Sequence, residues 1–391
     1  MVASMVNLRS ILKAALVAAL LLGAGSARSS ATPFQLIGPL PGLDVMPEEP
    51  SFITTPMSMS DDGRVVAGRG LVHVPGTINP SLFTHEIFRF QDGAFDTLPT
   101  PPFSGLVVTP DGSKIFAPDT IGLWIWEGDS TSEVNLSAQM QALYTAHPNS
   151  DGSVIVGQGS FGGFGIAAYR YADETVVRLL DPTGTQFLYG ANAVSADGSV
   201  VAGWTQSNQT YLLDLSTDSI LLLDPLESGN LMLPAAMTPD GAVIVGLGQV
   251  STPGAHEAFR WENGQTVGLG FLPGHETSWA NDVSADGRVV VGSTNFFNLE
   301  SLAPPEAWIW DSESGMRTLE EVLYERGVDL TGWELRGAGA VSADGQTVLG
   351  IAEDAQGNEW AFLAQVPEPG SLPLLVVGLA LMVAGRRRSQ G

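Results

Sequence analysis

Residues 283–292 read VSADGRVVVG, and the phrase returns as VSADGSVVAG at 194–203 and as VSADGQTVLG at 341–350. A short apolar run leads into Asp-Gly, and an alternating run leads out. Asp-Gly suits a two-residue type I′ turn, in which both central residues take positive φ and Gly does so without strain. Valine on either side fits a pleated, half-buried surface. Each copy is therefore predicted to be a β-hairpin.

Shorter versions extend the series. The turn aspartates fall at Asp62, Asp111, Asp151, Asp197, Asp240, Asp286 and Asp344, a mean spacing of about 47 residues, which lies in the range of repeat architectures. An aromatic or apolar strand follows each hairpin: IFRF at Ile87, LWIW at Leu123, AAYRY at Ala167, TYLLDL at Thr210, AFRW at Ala258, AWIW at Ala307 and AFLA at Ala361. Leu-rich segments at Leu98, Leu221 and Leu269 come next and are assigned to the outermost strand. Four short strands per repeat and seven repeats predict an all-β, seven-bladed propeller over residues 32–365. The last unit has no Leu segment, whereas FQLIGPLPG at Phe34 precedes the first hairpin unpaired. The N-terminal strand is thus expected to complete the last blade and close the ring, leaving no open edge. The longest interval contains Leu319, Val322 and Leu323 at helical spacing, which predicts a short amphipathic helix.

Composition agrees with this architecture. The 391 residues include 46 Gly and 25 Pro, and 15% are charged, as suits a chain with many turns. There is no Cys, so disulfides and thiolate metal sites are excluded. The net charge is −25, and six basic residues lie near the termini: Arg9, Lys13, Arg28, Arg386, Arg387 and Arg388. The body between carries 11 basic against 41 acidic residues. Such a surface repels nucleic acid and anionic membrane faces.

The two ends read as addresses. Arg9 and Lys13 precede an apolar run at 14–24 and then small residues, so residues 1–31 are expected to be a signal peptide. The C-terminal region, 366–391, begins Val366-Pro367-Glu368-Pro369. It continues through an apolar stretch at 372–384, assigned to a short membrane helix, and then reaches Arg386-Arg387-Arg388. The basic cluster would remain on the cytoplasmic side, with the body outside.

Those last residues resemble the PEP-CTERM sorting signal: a Pro-Glu-Pro motif, a short membrane helix and an arginine cluster, in that order. The resemblance implies export in a Gram-negative bacterium, transient inner-membrane anchoring and processing by an exosortase. The cell surface or an extracellular matrix would be the destination. The repeats resemble HAF-type extracellular repeats, best over 256–293, although Glu257 separates His256 from Ala258-Phe259. Their layout is also similar to WD40 and TolB-type blades. These resemblances imply fold and setting rather than chemistry.

Catalytic signatures are thin. The histidines, His73, His85, His147, His256 and His275, form no HxH or HxxxH pair. Neither a GxSxG elbow nor a Walker-type loop is present. The Gly-rich stretch at 157–165 reads as a loop. Each repeat offers mainly one Asp, which can serve its own turn, whereas calcium loops gather several oxygen ligands. No catalytic, cofactor or metal residue is assigned. The expected role is non-catalytic interaction with exopolysaccharide, surface proteins or other matrix components. The alternative is a glycan lyase or hydrolase, with its site in the channel where loops converge.

Overall fold

A computed structural model describes residues 33–38, 54–73, 83–98, 105–119, 122–163, 165–226, 231–252, 255–294 and 304–366. The expected signal peptide and the sorting tail beyond Val366 lie outside them. Seven antiparallel sheets, blades 1 to 7 in chain order from Thr54, follow one another around a ring, and in blades 1 to 6 the strands run in chain order from the inside outwards. Blade 6 is representative: Trp279–Val283, Val289–Ser293, Ala307–Asp311 and Gly315–Thr318. In blade 3 the inner strand is split into Ala142–Leu143 and His147–Pro148, both paired with Val154–Phe161. The Gly-rich stretch read as a loop from sequence therefore begins inside this second strand, and its partner starts at Gly165.

The ring closes through its ends. Phe34–Ile37 is the outermost strand of blade 7 and pairs antiparallel with Glu359–Gln365, Phe34 opposite Ala364 and Ile37 opposite Ala361. Seven buried apolar clusters fill the seven junctions between blades. Strand alternation divides each blade between two of them. Trp308 packs toward blade 5, while Ile309 packs toward blade 7.

The outermost strands lie earlier in sequence than the Leu-rich segments suggested. They are Ala94–Leu98, Ser130–Asn135, Thr175–Arg178, Ser219–Leu222, Gln265–Gly268 and Gly315–Thr318. Leu269 follows its strand, and it is buried with Leu272 between blades 5 and 6. Leu269 and Leu272 thus reflect burial between blades rather than strand position, whereas Leu98 and Leu221 lie within their outer strands.

The repeated Asp-Gly is not a type I′ turn. The glycines, from Gly63 to Gly345, take φ of 70–74°, but the preceding aspartates do not take positive φ. The reason lies two residues upstream. Ser284 N–H donates to Val289 O, but Val289 N–H donates to Ser284 Oγ (3.0 Å), which opens the loop to residues 285–288. Ser284 Oγ in turn donates to Asp286 Oδ1 (2.7 Å), which also accepts Arg288 N–H (3.0 Å). Ser60, Thr109, Ser195, Thr238 and Ser342 repeat this with their own aspartates. In blade 3, Asn149 Oδ1 takes the Val154 N–H, and Asp151 accepts from Ser153 N–H. True type I′ geometry occurs in the outer hairpins instead, at Asp92-Gly93 and Asn263-Gly264.

The glycine that ends the phrase has a separate cause. The inner strands of blades 1, 4, 5, 6 and 7 carry a bulge at the same place, five residues before the turn aspartate. In blade 6 the bulge at Asn281 brings the Trp279 carbonyl over Gly292, where a Cβ would collide with that oxygen and the Trp308 ring.

The helix Leu319–Glu325 forms as the spacing predicted and buries Leu319, Val322 and Leu323 in the junction between blades 6 and 7. Thr318 and Glu321 make a reciprocal capping box. Among the described residues, no helix is long and apolar enough to cross a membrane.

Candidate functional site: the central channel

The inner strands surround a channel with a cavity volume of about 360 Å³. Two registers of the repeat supply much of its wall. Four residues before each turn aspartate stand Ser58, Val107, His147, Ala193, Ala236, Asp282 and Ala340; one residue before it stand Asp61, Pro110, Ser150, Ala196, Pro239, Ala285 and Ala343. Small or apolar side chains dominate both rings. The departures are Asp282 and His147 in the first and Asp61 in the second.

The second ring is stitched by backbone. Ala343 N–H donates to Asp61 O, Asp61 N–H to Pro110 O, Asp111 N–H to Ser150 O, Ala196 N–H to Pro239 O and Ala285 N–H to Ala343 O. Asn149 Nδ2 reaches Ala196 O. The bulge amides add further ties, Asn192 Nδ2 to Pro234 O (2.9 Å) and Asn281 Nδ2 to Ala338 O (2.8 Å). This backbone fixes the positions of the side chains that face the channel.

Asp282 accepts Val283 N–H at Oδ1 and Val341 N–H from the next blade at Oδ2, both at 2.8 Å. Loss of water outweighs those bonds and pushes its pKa up to about 7, with the Asp61 charge adding to the rise. Burial, followed by the charges of Asp62 and Asp111, also raises Asp61. His147 keeps partial contact with the channel interior, but enclosure by protein strips it of solvent and lowers its pKa to about 4. The imidazole is therefore neutral at pH 7, while Asp282 divides between acid and base, as a proton-transfer group at neutral pH does. Asp61 and Asp282 flank blade 7, whose channel-facing residues are Gly339, Ala340, Val341 and Ala343.

The seven turn aspartates belong to another environment. They sit at the rim of one face, called the Asp–Gly face below. The hydroxyl of Ser195 and the Ser199 N–H hold Asp197 down to about 2. Asp151 and Asp240 are likewise lowered by the hydrogen bonds of their own loops. Of the remaining histidines, His275 lies 3.4 Å from Glu306 in an ion-pair geometry outside the channel, and His256 begins a third strand. Among the described residues, no group of three or more His, Asp or Glu is placed to hold a metal. Of the sorting residues only Val366 is described; it is buried, and its N–H donates to Gln346 O (2.8 Å).

Asp282 was not singled out from the sequence. Aligning the copies on their turn aspartates would have exposed it, since that register otherwise holds mostly small or apolar residues.

Residues 365–389 match the PEP-CTERM protein-sorting motif. That motif is a substrate signal for exosortase processing and marks exported, membrane-transiting proteins of Gram-negative bacteria. No curated protein matches the chain. Among solved structures, an oligogalacturonate lyase in complex with manganese is similar, with a TM-score of 0.55 at 13% identity over 82% of this chain and 90% of that one. The oligogalacturonate lyase from Vibrio parahaemolyticus also gives 0.55, at 10% identity over 81% and 92%. The Cps50 (Swd1) β-propeller domain of Myceliophteria thermophila gives 0.50, at 13% identity over 85% and 99%. At these identities the likeness is one of fold: the body is similar to known β-propellers, and the tail carries the sorting motif.

Proposed function

We propose that this chain is a propeller delivered to the cell surface or extracellular matrix by its C-terminal tail, where it serves as a non-catalytic interaction module for exopolysaccharide or surface proteins. The observation that carries the delivery is the junction at Gln365. The last propeller strand ends there, and the motif match starts at the same residue. A rigid closed ring is thus joined directly to its sorting signal. An acidic, Lys-poor body suits a solvated matrix component that avoids anionic surfaces. The test replaces Pro367, Glu368 and Pro369 with alanine and follows the chain in membrane and released fractions. Accumulation of an unprocessed membrane-held form is expected; processing and release at the parental level would sink the sorting reading. Binding to neutral and acidic glycans, scored without turnover, tests the interaction role.

A second reading has its own support. Asp282 and Asp61, two carboxylates of raised pKa, share the channel with a neutral His147. Groups so perturbed in a cleft are candidates for acid–base work. A glycan lyase or hydrolase would use Asp282 at the reacting atoms. Turnover of any oligosaccharide, abolished by Asp282→Asn with the fold intact, would favour that reading over the first.

A further inference from the structure

The place where the chain leaves the propeller constrains how the precursor stands on the membrane. Within each blade the strands alternate in direction, so the inner hairpins and outer hairpins turn on the Asp–Gly face. The connections between blades lie on the opposite face, including the helix Leu319–Glu325. The third strand of blade 7, Glu359–Gln365, runs toward the Asp–Gly face. Val366 is then pinned there by its N–H to Gln346 O, two residues beyond Asp344, with its side chain buried between blades 6 and 7. No slack exists up to this point. From Pro367 to Ser371, five residues with two prolines precede the apolar stretch at 372–384. Fully extended, five residues span at most about 18 Å.

We infer that in the membrane-held precursor the Asp–Gly face at blades 6, 7 and 1 is turned toward the lipid surface, and that processing uncovers it. This rests on the sorting reading above. The Asp61 end of the channel opens on the same face, so it too faces the membrane until the tail is cut. The face carries more acid than base: besides the seven turn aspartates, the outer hairpins bring Asp92, Asp129, Asp173, Glu174, Asp214, Asp218, Asp311 and Glu313, against Arg64, Lys114 and Arg288 and the guanidinium groups of Arg89, Arg260 and Arg317 that reach its loops. Such a face does not adhere to an anionic bilayer. The short leash therefore holds it there, and release frees it to turn away.

The chain contains no Cys, so single cysteines report position without background. Arg288 on the Asp–Gly face is 73% exposed in its side chain, and Tyr324 on the opposite face is 79% exposed. Arg288→Cys and Tyr324→Cys are placed separately in the full chain, with the Pro367, Glu368 and Pro369 alanine replacements to give the membrane-held form and without them to give the released form. Each is treated with a bulky, membrane-impermeant maleimide in the membrane-held and released forms. Protection of position 288 in the held form alone is expected, on the order of tenfold slower labelling, with position 324 equally reactive in both. Arg64→Cys and Leu180→Cys, the latter exposed in the connection between blades 3 and 4, provide a second pair on other blades. Inserting about 20 Gly/Ser residues after Val366 lengthens the leash beyond the extended span and should abolish the protection. Equal labelling of both faces in the held form, or protection that survives the insertion, overturns the inference while leaving the sorting reading intact. If the alanine replacements leave no membrane-held form, both fall together.

Discussion

Ser284 shows what a single hydroxyl does in this repeat. It is fully buried, accepts Val289 N–H and donates to Asp286, so its loss orphans a buried backbone donor. Ser284→Ala should cost about 1–3 kcal/mol, measured as a lowered urea midpoint with unchanged slope. An unchanged midpoint would mean that water replaces the hydroxyl. Of the three perturbed channel residues, Asp282 and His147 make opposite contributions to pH dependence. Asp282, with its pKa raised to about 7, lends stability below the ordinary carboxylate range and loses it as pH rises through about 7. His147, lowered to about 4, lends stability above its ordinary value and loses it as pH falls through about 4. Between about pH 4 and pH 8 the stability of Asp282→Asn relative to the parent should therefore improve as pH rises. That of His147→Gln should improve as pH falls; pH-independent differences in both variants would refute the assignment. The window stops short of pH 2, where Asp197 gives up its own contribution.

The closing strand makes the same kind of claim at the scale of an element. Phe34–Ile37 covers the edge of Glu359–Gln365, and Ile37 is fully buried between blades 7 and 1. Removing residues 34–37 leaves an unpaired edge next to an emptied apolar site. Stability should fall by about 3 kcal/mol or more, taking the buried isoleucine alone as a lower guide. Self-association should appear by size exclusion; a monomer of parental stability would deny the strand its role. Much at this scale was legible. Seven aspartates in phase gave the blade count, and the deficit after Ala361 matched the surplus at Phe34. The turn type was misread because Asp-Gly looks alike in a two-residue loop and in one held open by a serine. What decides is the hydroxyl two residues earlier, which is present in most copies but reads as an ordinary polar residue. The outermost strands were placed too late because the Leu-rich segments only overlap strand ends at Leu98 and Leu221, and Leu269 is buried without being in a strand.

At the scale of the molecule, blade packing is repetitive and the channel wall is not. Repetition made the fold readable from one phrase. The site residues were hidden because Asp282 and His147 are informative only as exceptions to a register, and that register appears once seven copies share one axis. The charge pattern follows the same division, with carboxylates on the Asp–Gly rim and small residues across much of the wall.

The pairing of Phe34–Ile37 with Ala361–Ala364 also sets a timetable. The first propeller strand made on the ribosome pairs with the last one, so it waits through the synthesis of six blades. Contacts of such sequence separation form late and slowly. The ring cannot be finished until residue 364 is available, and the sorting motif starts at the next residue. Completion of the fold and arrival of its address thus fall almost together. A chain caught earlier has an open blade 7 and lacks the sorting motif.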